Sequence, residues 1–408
     1  MSTDSITVLP LKAGVEHELA FACDNFTPTK TDDTEIAFEA REFIAKTLDN
    51  IDGISVDLNI PETKVRSPPE VYKLHWTLPF EAGLKDGVDY EVQDGYSDDL
   101  ELASPTANVS TDDWIKQTKT IYAAFRANQI TIQAPPESCA THVHISPAEG
   151  KWTMDALKAV SKAIIYFERC TDALVHEDRL SKPTCKDSNF ASVLHASGYP
   201  KQLHTPQDWR ETWETACPWK ETISFLWRAI DKCETHQAIA ALMCSLHVGS
   251  AKPLPRTDPG EQTQFAPRTQ SEISRRHRWN FRPLLDESRM GHVPVGGSTE
   301  PLGSIEFRQP EGSAVAEEAI AWRVYATGFV QAALMGGIDE MAAAEKPTVR
   351  QLGVFVESGV RANGCRMEDV GRVFERNSGA EPTEIRFEMR EGGFEEYTVM
   401  RESWFDSD

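Results

Sequence analysis

The sequence predicts an α+β fold in which helices pack against a largely antiparallel sheet. Helical and strand-like segments are mixed without regular βαβ alternation, and several strand candidates alternate apolar with polar residues. A parallel sheet would instead require a long crossover, usually a helix, between successive strands. The predicted strands are 13–22, 54–59, 71–78, 99–103, 140–146, 276–284 and 303–309.

The helix candidates follow from capping residues and from apolar residues that recur every three or four positions. The segment 111–128 opens on a hydroxyl residue followed by Asp112 and Asp113, which suit the positive end of a helix dipole. The segment 153–177 places on one face Leu157, Val160, Ile164, Phe167 and Leu174. The predicted helices are 34–50, 111–128, 153–177, 219–232, 236–247 and the alanine-rich 314–335.

The 408 residues are interpreted as one catalytic domain, 1–378, followed by an acidic extension, 379–408. Two polar, proline-containing segments, 181–207 and 250–274, are predicted to be long loops, which in compact domains are usually functional or disordered. Eight scattered cysteines form no C-x-x-C pair, so we expect buried, reduced thiols.

The charge of the chain narrows the classes of partner. The 42 basic and 64 acidic residues give a net charge of −22, which disfavours nucleic acid and anionic membrane surfaces. The N-terminus lacks the basic start and apolar run of a secretory signal, and no apolar stretch reaches the ~20 residues of a membrane span. We therefore expect a soluble, cytoplasmic protein.

Four strand candidates carry ionisable side chains at alternating positions, which place those side chains on one face. These are 14–21 with Glu16 and Glu18, 98–102 with Asp99 and Glu101, 141–145 with His142 and His144, and 304–309 with Glu306 and Arg308. The residues between them are mostly apolar and can pack on helices. If the four strands join one sheet, its polar face gathers glutamates, two histidines and an arginine.

Clustered carboxylates need a compensating cation to stay ionised. Carboxylate oxygens with imidazole as the only softer ligand suit Mg²⁺ or Mn²⁺, and an arginine suits a phosphate. Taken alone, each alternating strand is most often a half-exposed sheet edge. His-x-His could also be a zinc pair, although Cys139 would lie on the opposite face and supply no third ligand.

Four motifs then resemble, in order, those of the amidoligase family of the glutamine synthetase and glutamate–cysteine ligase superfamily. They are GVEHEL, LELASP, CATHVHIS and GSIEFRQPEGS, the last before the alanine-rich helix. The resemblance covers roughly residues 13–335. It implies a glutamine-synthetase-like catalytic fold, with a curved, largely antiparallel sheet whose concave face holds ATP and Mg²⁺ (or Mn²⁺).

The resemblance also implies roles for individual residues. Metal ligands are expected at Glu16, Glu18, Glu101, Glu306 and His144. Catalytic roles are expected for Arg308, Glu306, His142 and His144, with Arg308 contacting phosphate.

A basic segment, Arg275–Arg282, adds Arg278 and Asn280 as candidates for binding the cofactor or a substrate carboxylate. A solvated basic strand explains the same segment. The chain departs from the family at Pro310, where members often carry His, and this bears on substrate recognition more than on ATP binding.

These features predict an ATP-dependent carboxylate–amine ligase that forms an amide through an acyl phosphate and releases ADP and phosphate. Its partners would be a small carboxylate and an amine, such as amino acids or peptides, and a homo-oligomer is compatible. The alternatives are a guanidino-kinase-like phosphotransferase, a metal-dependent hydrolase and a non-catalytic paralogue that binds nucleotide or a partner protein.

Overall fold

The computed structural model describes fifteen stretches of the chain. They are 8–23, 25–58, 75–78, 96–136, 138–176, 178–179, 219–244, 273, 275, 277–285, 303–336, 338, 347–375, 389–390 and 393–394. The predicted loop 181–207 lies outside them, as does 250–274 except for Ile273. The predicted extension 379–408 lies outside them except for a small pairing of Met389–Arg390 with Gly393–Phe394.

Eight α-helices are described. They are α1 Asp33–Asp49, α2 Asp113–Ala127, α3 Met154–Asp172, α4 Trp219–Asp231, α5 His236–Met243, α6 Ala316–Leu334, α7 Val349–Ala362 and α8 Gly371–Glu375. Short 3₁₀ turns lie at Arg282–Leu284 and Met367–Asp369. The six predicted helices correspond to α1–α6. Among the described helices, none is both long and apolar enough to cross a membrane.

The sheet is built around a long first strand. Its strands are β1 Leu11–Cys23, β2 Val56–Leu58, β3 Trp76–Leu78, β4 Tyr96–Ala103, β5 Ala107–Asn108, β6 Ile130–Gln133, β7 Ala140–Pro147, β8 Trp279–Asn280 and β9 Ile305–Phe307. Their order is β2-β3-β4-β1-β7-β9-β8, with β5 and β6 also paired to β1. All pairs are antiparallel except β2 with β3, so the predicted mixed fold with a largely antiparallel sheet is confirmed.

Two apolar clusters hold the helices on the sheet. The larger one joins α3–α8 to the apolar sides of β7, β8 and β9, and the smaller one joins α1 and α2 to β1, β3 and β4. Helix α6 is buried on nearly every side, as expected for a helix that is apolar all round. The sheet face that carries the ionisable residues is opposite to this packing.

Some element boundaries differ from the sequence predictions. The predicted strand 276–284 is reduced to Trp279–Asn280, because a 3₁₀ turn containing Pro283 follows at once. Strand 303–309 is reduced to Ile305–Phe307, ahead of Pro310.

The sequence analysis missed β5, β6, α7 and α8. Helix α7 carries a readable signal, since Thr348 and Gln351 form a capping box at its start. Strand β6 is short and has little pattern of its own, and its pairing with the far end of β1 defines it.

Candidate functional site

The register of four adjacent strands places the ionisable residues side by side. Glu18 lies opposite Glu101 between β1 and β4, and Glu16 lies opposite His142 between β1 and β7. His144 lies opposite Glu306 between β7 and β9, and Asn280 of β8 lies on the other side of Glu306. Since directly opposed residues share a face, one row of ionisable and amide side chains runs across β4, β1, β7, β9 and β8.

The two histidines converge on carboxylates of the neighbouring strands. His142 Nδ1 lies 3.4 Å from Glu16 Oε2, 3.6 Å from Glu18 Oε1 and 3.7 Å from Glu306 Oε1. His144 Nε2 lies 3.2 Å from Glu16 Oε1 and 3.6 Å from Glu306 Oε1. The imidazoles therefore occupy the centre of the row, between the glutamates of β1 and β9.

The electrostatics of the cluster favour ionised carboxylates beside a protonated imidazole. Burial alone would raise the pKa of Glu16, but the charge of His144 and the hydrogen bond with His142 hold it well below its usual range. Burial likewise opposes the ionisation of Glu306, yet Arg308 and His144 lower its pKa. Burial disfavours the charged form of His144, but Glu16 and Glu306 raise its pKa to about 9.

Glu16, His144 and Glu306 could instead hold a metal ion, which would displace the proton from His144. One ligand atom from each lies within 4.8 Å of the other two. His144 Nε2 is buried and, although close to Glu16, is not aligned for a hydrogen bond with any described residue. Carboxylate oxygens suit Mg²⁺ or Mn²⁺ and an imidazole nitrogen also suits softer metals such as Zn²⁺, so this donor set fits a divalent cation. Glu18 and Glu101, opposed across β1 and β4, lie outside this group of three but extend the acidic row.

Arg308 lies at the end of β9 and contacts the same carboxylate. Its Nη1 forms an ion pair with Glu306 Oε1, and its backbone N–H donates to the Arg278 carbonyl at 2.8 Å. The neighbouring Phe307 is fully buried and points to the core, where its ring lies 4.5 Å from that of Trp279. The alternation predicted for β9 is therefore observed.

Two neutral residues contact Glu306 and His144 in this cluster. Asn280 Nδ2 donates to Glu306 Oε2 at 2.6 Å, and Ser304 Oγ lies 3.2 Å from His144 Nδ1. Sequence reasoning missed Ser304, although a signal was present, since Ser304, Glu306 and Arg308 alternate along one strand.

The Arg278 side chain contacts helix α3 and does not join the ionisable row. Its guanidinium forms an ion pair with Asp172 of α3 and lies 3.7 Å from Glu168 Oε1, and its side chain is 2% exposed. Gln309 Nε2 also donates to Asp172, at 2.7 Å. Of the two residues predicted to bind the cofactor from this segment, only Asn280 lies in the ionisable row. The contacts of Arg278 favour a structural role.

The segment after β9 packs tightly against the inner part of β1 and the start of β7. A Cβ atom on Gly312 would lie 2.6 Å from Cys139 Cβ and 3.0 Å from the Glu18 carbonyl oxygen, so this position requires glycine. The Pro310 carbonyl accepts from the Thr141 N–H, and Ser313 Oγ lies 2.8 Å from Thr141 Oγ1. The chain following Arg308 is thus attached to the strand that carries both histidines.

The fold and this site define a mixed α/β protein whose open sheet displays a compact row of carboxylates, imidazoles and an arginine. The family described as "Putative amidoligase enzyme" matches residues 11–236, more than half of the chain, and the chain belongs to that family. The match includes Glu16, Glu18, Glu101, His142 and His144, whereas β8 and β9 lie beyond it. Membership supports a ligase-type enzyme. No curated protein matches the chain.

Proposed function

We propose that this protein is an ATP-dependent carboxylate–amine ligase with a glutamine-synthetase-like sheet, which forms an amide through an acyl phosphate. The observation that carries the proposal is the convergence of Glu16, His144 and Glu306 beside Arg308, in a chain of the amidoligase family. Carboxylates, an imidazole and an arginine on one face suit phosphoryl transfer, which depends on positioning and on neutralising phosphate charge.

In the proposed reaction, an oxygen of the substrate carboxylate bonds to the γ-phosphorus of ATP and the bond to ADP breaks. The amine nitrogen then bonds to the acyl carbon, the phosphate leaves, and the amine releases a proton. A divalent cation, when bound, would offset the negative charge of the phosphates. Glu16, His144 and Glu306 would hold that cation, with Glu18 and Glu101 as further acidic neighbours.

Arg308 would bind the transferring phosphoryl group through its planar guanidinium. In the described arrangement it contacts Glu306, and therefore already lies at the edge of the candidate metal site. His142, only 2% exposed and surrounded by three glutamates, would keep the acidic row together and need not exchange protons with the substrate.

Product analysis tests the chemical route. An acyl phosphate releases ADP and phosphate, whereas an acyl adenylate releases AMP and pyrophosphate. Substrate carboxylate labelled with ¹⁸O should pass one label to the phosphate, and hydroxylamine should trap the intermediate as a hydroxamate. AMP and pyrophosphate formed in step with product, without label in phosphate, would exclude the proposed route.

The same experiment separates the other readings of the site. A stable phosphorylated substrate together with ADP would indicate a phosphotransferase, and product formation without ATP would indicate a hydrolase. A screen of carboxylate and amine pairs for ADP release would identify the substrates.

A further inference from the structure

Asn280 is a buried amide between a backbone donor and a carboxylate. Its side chain is on β8, the last strand in the order of the described sheet. The side chain is 2% exposed and lies next to Glu306 in the register. Trp279, the other residue of β8, packs on Phe307 and Phe329 with ring centroids 4.5 and 5.3 Å away. The apolar contacts of Trp279 therefore hold the strand that presents Asn280.

The two contacts of the Asn280 amide determine its orientation. The backbone N–H of Arg282 donates to Oδ1 at 2.9 Å, and Nδ2 donates to Glu306 Oε2 at 2.6 Å. A backbone N–H can only donate and an ionised carboxylate can only accept, so the oxygen must face Arg282 and the nitrogen must face Glu306. The hydrogen bond from the turn after β8 therefore orients the Asn280 amide so that its nitrogen faces the Glu306 carboxylate.

The hydrogen bond from Asn280 gives the two oxygens of the Glu306 carboxylate different partners. Oε2 is engaged by Asn280, whereas Oε1 lies within 3.7 Å of His142 and 3.6 Å of His144 and contacts Arg308. We propose that Asn280 is a positioning residue that fixes the Glu306 side chain so that Oε1 points into the metal site. This inference rests on the metal site of the proposed function.

The substitution Asn280→Asp tests the inference with almost no change of shape. An aspartate can still accept from Arg282, but it cannot donate to Glu306 and it places a like charge beside it. Asn280→Ala removes the donor without adding a charge. Loss of an outer partner of a metal ligand typically weakens metal affinity by about 10–100-fold, and we expect this loss for Mn²⁺ in both variants.

Cys244→Ala is the matched control. The Cys244 thiol accepts from the Phe281 N–H at 3.2 Å and lies 3.7 Å from the Trp279 carbonyl, so it contacts the backbone on both sides of Asn280. The Cys244→Ala substitution therefore perturbs the same strand without removing a contact of the Asn280 amide. We expect Cys244→Ala to bind Mn²⁺ as the unchanged protein does.

Calorimetry with Mn²⁺ and crystal structures of the unchanged protein and Asn280→Asp provide the two readouts. Unchanged affinity in both Asn280 variants, or an equal loss in Cys244→Ala, would overturn the inference. If the unchanged protein bound no Mn²⁺, the proposed metal site would fail, and the crystal structures would still decide about Asn280. A Glu306 carboxylate that keeps its orientation in Asn280→Asp would refute the positioning role, and a reoriented one would support it.

Discussion

His144 meets Glu16 diagonally across two strands. The two side chains approach to 3.2 Å, although the residue directly opposite His144 in the register is Gly14 and the one opposite Glu16 is His142. Diagonal neighbours on one sheet face can reach each other when their side chains are long. As a result, both imidazoles approach Glu16 as well as Glu306, and the candidate metal site extends from β1 across β7 to β9.

Metal binding is the first property that this arrangement predicts. ATP binding should require Mg²⁺ or Mn²⁺, and Glu306→Gln should weaken Mn²⁺ binding about tenfold or more, since even outer-shell partners of a ligand contribute that much. Calorimetry with and without EDTA measures both effects. Glu42→Gln, an exposed change on α1, is the control. Tight ATP binding that is unaffected by EDTA would contradict the metal site.

Ser304 gives a second prediction about the same ion. Its hydroxyl lies 3.2 Å from His144 Nδ1 and would hold the ring so that Nε2 faces Glu16 and Glu306. Ser304→Ala should therefore lower Mn²⁺ affinity by about tenfold, measured by calorimetry. Ser146→Ala, two residues beyond His144 on β7, should leave the affinity unchanged. Equal Mn²⁺ affinities of the two variants would show that Ser304 does not orient His144 for metal binding.

The alternation of residues in each strand was readable from the sequence, but the neighbours of each strand were not. Period-two spacing correctly places Glu306 and Arg308 on the face opposite to Phe307, because this alternation depends only on residues within one strand. The pairing of β7 with β9 joins residues about 160 positions apart, which no local pattern encodes.

Arg278 shows a limit of the same reasoning. It is two residues from Asn280, and spacing alone would place both on one face. It precedes the two-residue strand β8, however, and its guanidinium turns to Asp172 and Glu168 of α3. The position of the Arg278 guanidinium is set by its ion pairs with carboxylates of α3, which is distant in sequence. The periodicity of that helix does not predict these ion pairs.

His17 predicts a pH dependence of stability. It is buried on the core side of β1, between Trp76 and Tyr122, and burial together with the charges of Arg323 and His142 lowers its pKa from 6.5 to about 3. The unfolded chain therefore binds the proton first as the pH falls. The contribution of neutral His17 to the unfolding free energy is fully present above about pH 6.5. It declines as the pH falls from there towards 3.

Replacing His17 with phenylalanine keeps a ring between Trp76 and Tyr122 and removes the titration. Between pH 7 and pH 5, wild type should lose about 2 kcal/mol more unfolding free energy than His17→Phe. Urea denaturation at the two pH values measures the difference. Parallel losses in the two proteins would show that His17 is protonated in the folded state.

Two glycines bring α6 and α7 into close contact. A Cβ atom on Gly359 would lie 1.9 Å from the Gly328 carbonyl oxygen and 2.6 Å from the Ala332 nitrogen. Gly359→Ala should therefore destabilise the protein by about 1–3 kcal/mol or more, because the helices must separate. Val354→Ala, at an exposed position of α7, should have little effect. Thermal unfolding of the two variants measures the contrast, and equal midpoints would contradict the close packing.

The last prediction separates the two faces of β9. Phe307 is fully buried among Trp279, Trp322 and Tyr325, whereas the Arg308 side chain is 16% exposed and contacts Glu306. Phe307→Ala should cost about 3–5 kcal/mol of unfolding free energy through the cavity it leaves. Arg308→Ala should lower the melting temperature less than Phe307→Ala does, because His142 and His144 still face the Glu306 carboxylate that loses this partner.

Turnover should respond in the opposite way. Arg308→Ala should abolish ADP release, because it removes the guanidinium that lies beside Glu306 and is proposed to bind the phosphoryl group. Arg308→Lys keeps the charge but not the planar guanidinium, so its activity should be intermediate. Activity of the folded fraction of Phe307→Ala should be retained. If Arg308→Ala instead unfolded the protein, the ion pair with Glu306 would be a structural feature of β9, and the phosphate role proposed for Arg308 would have to be given up.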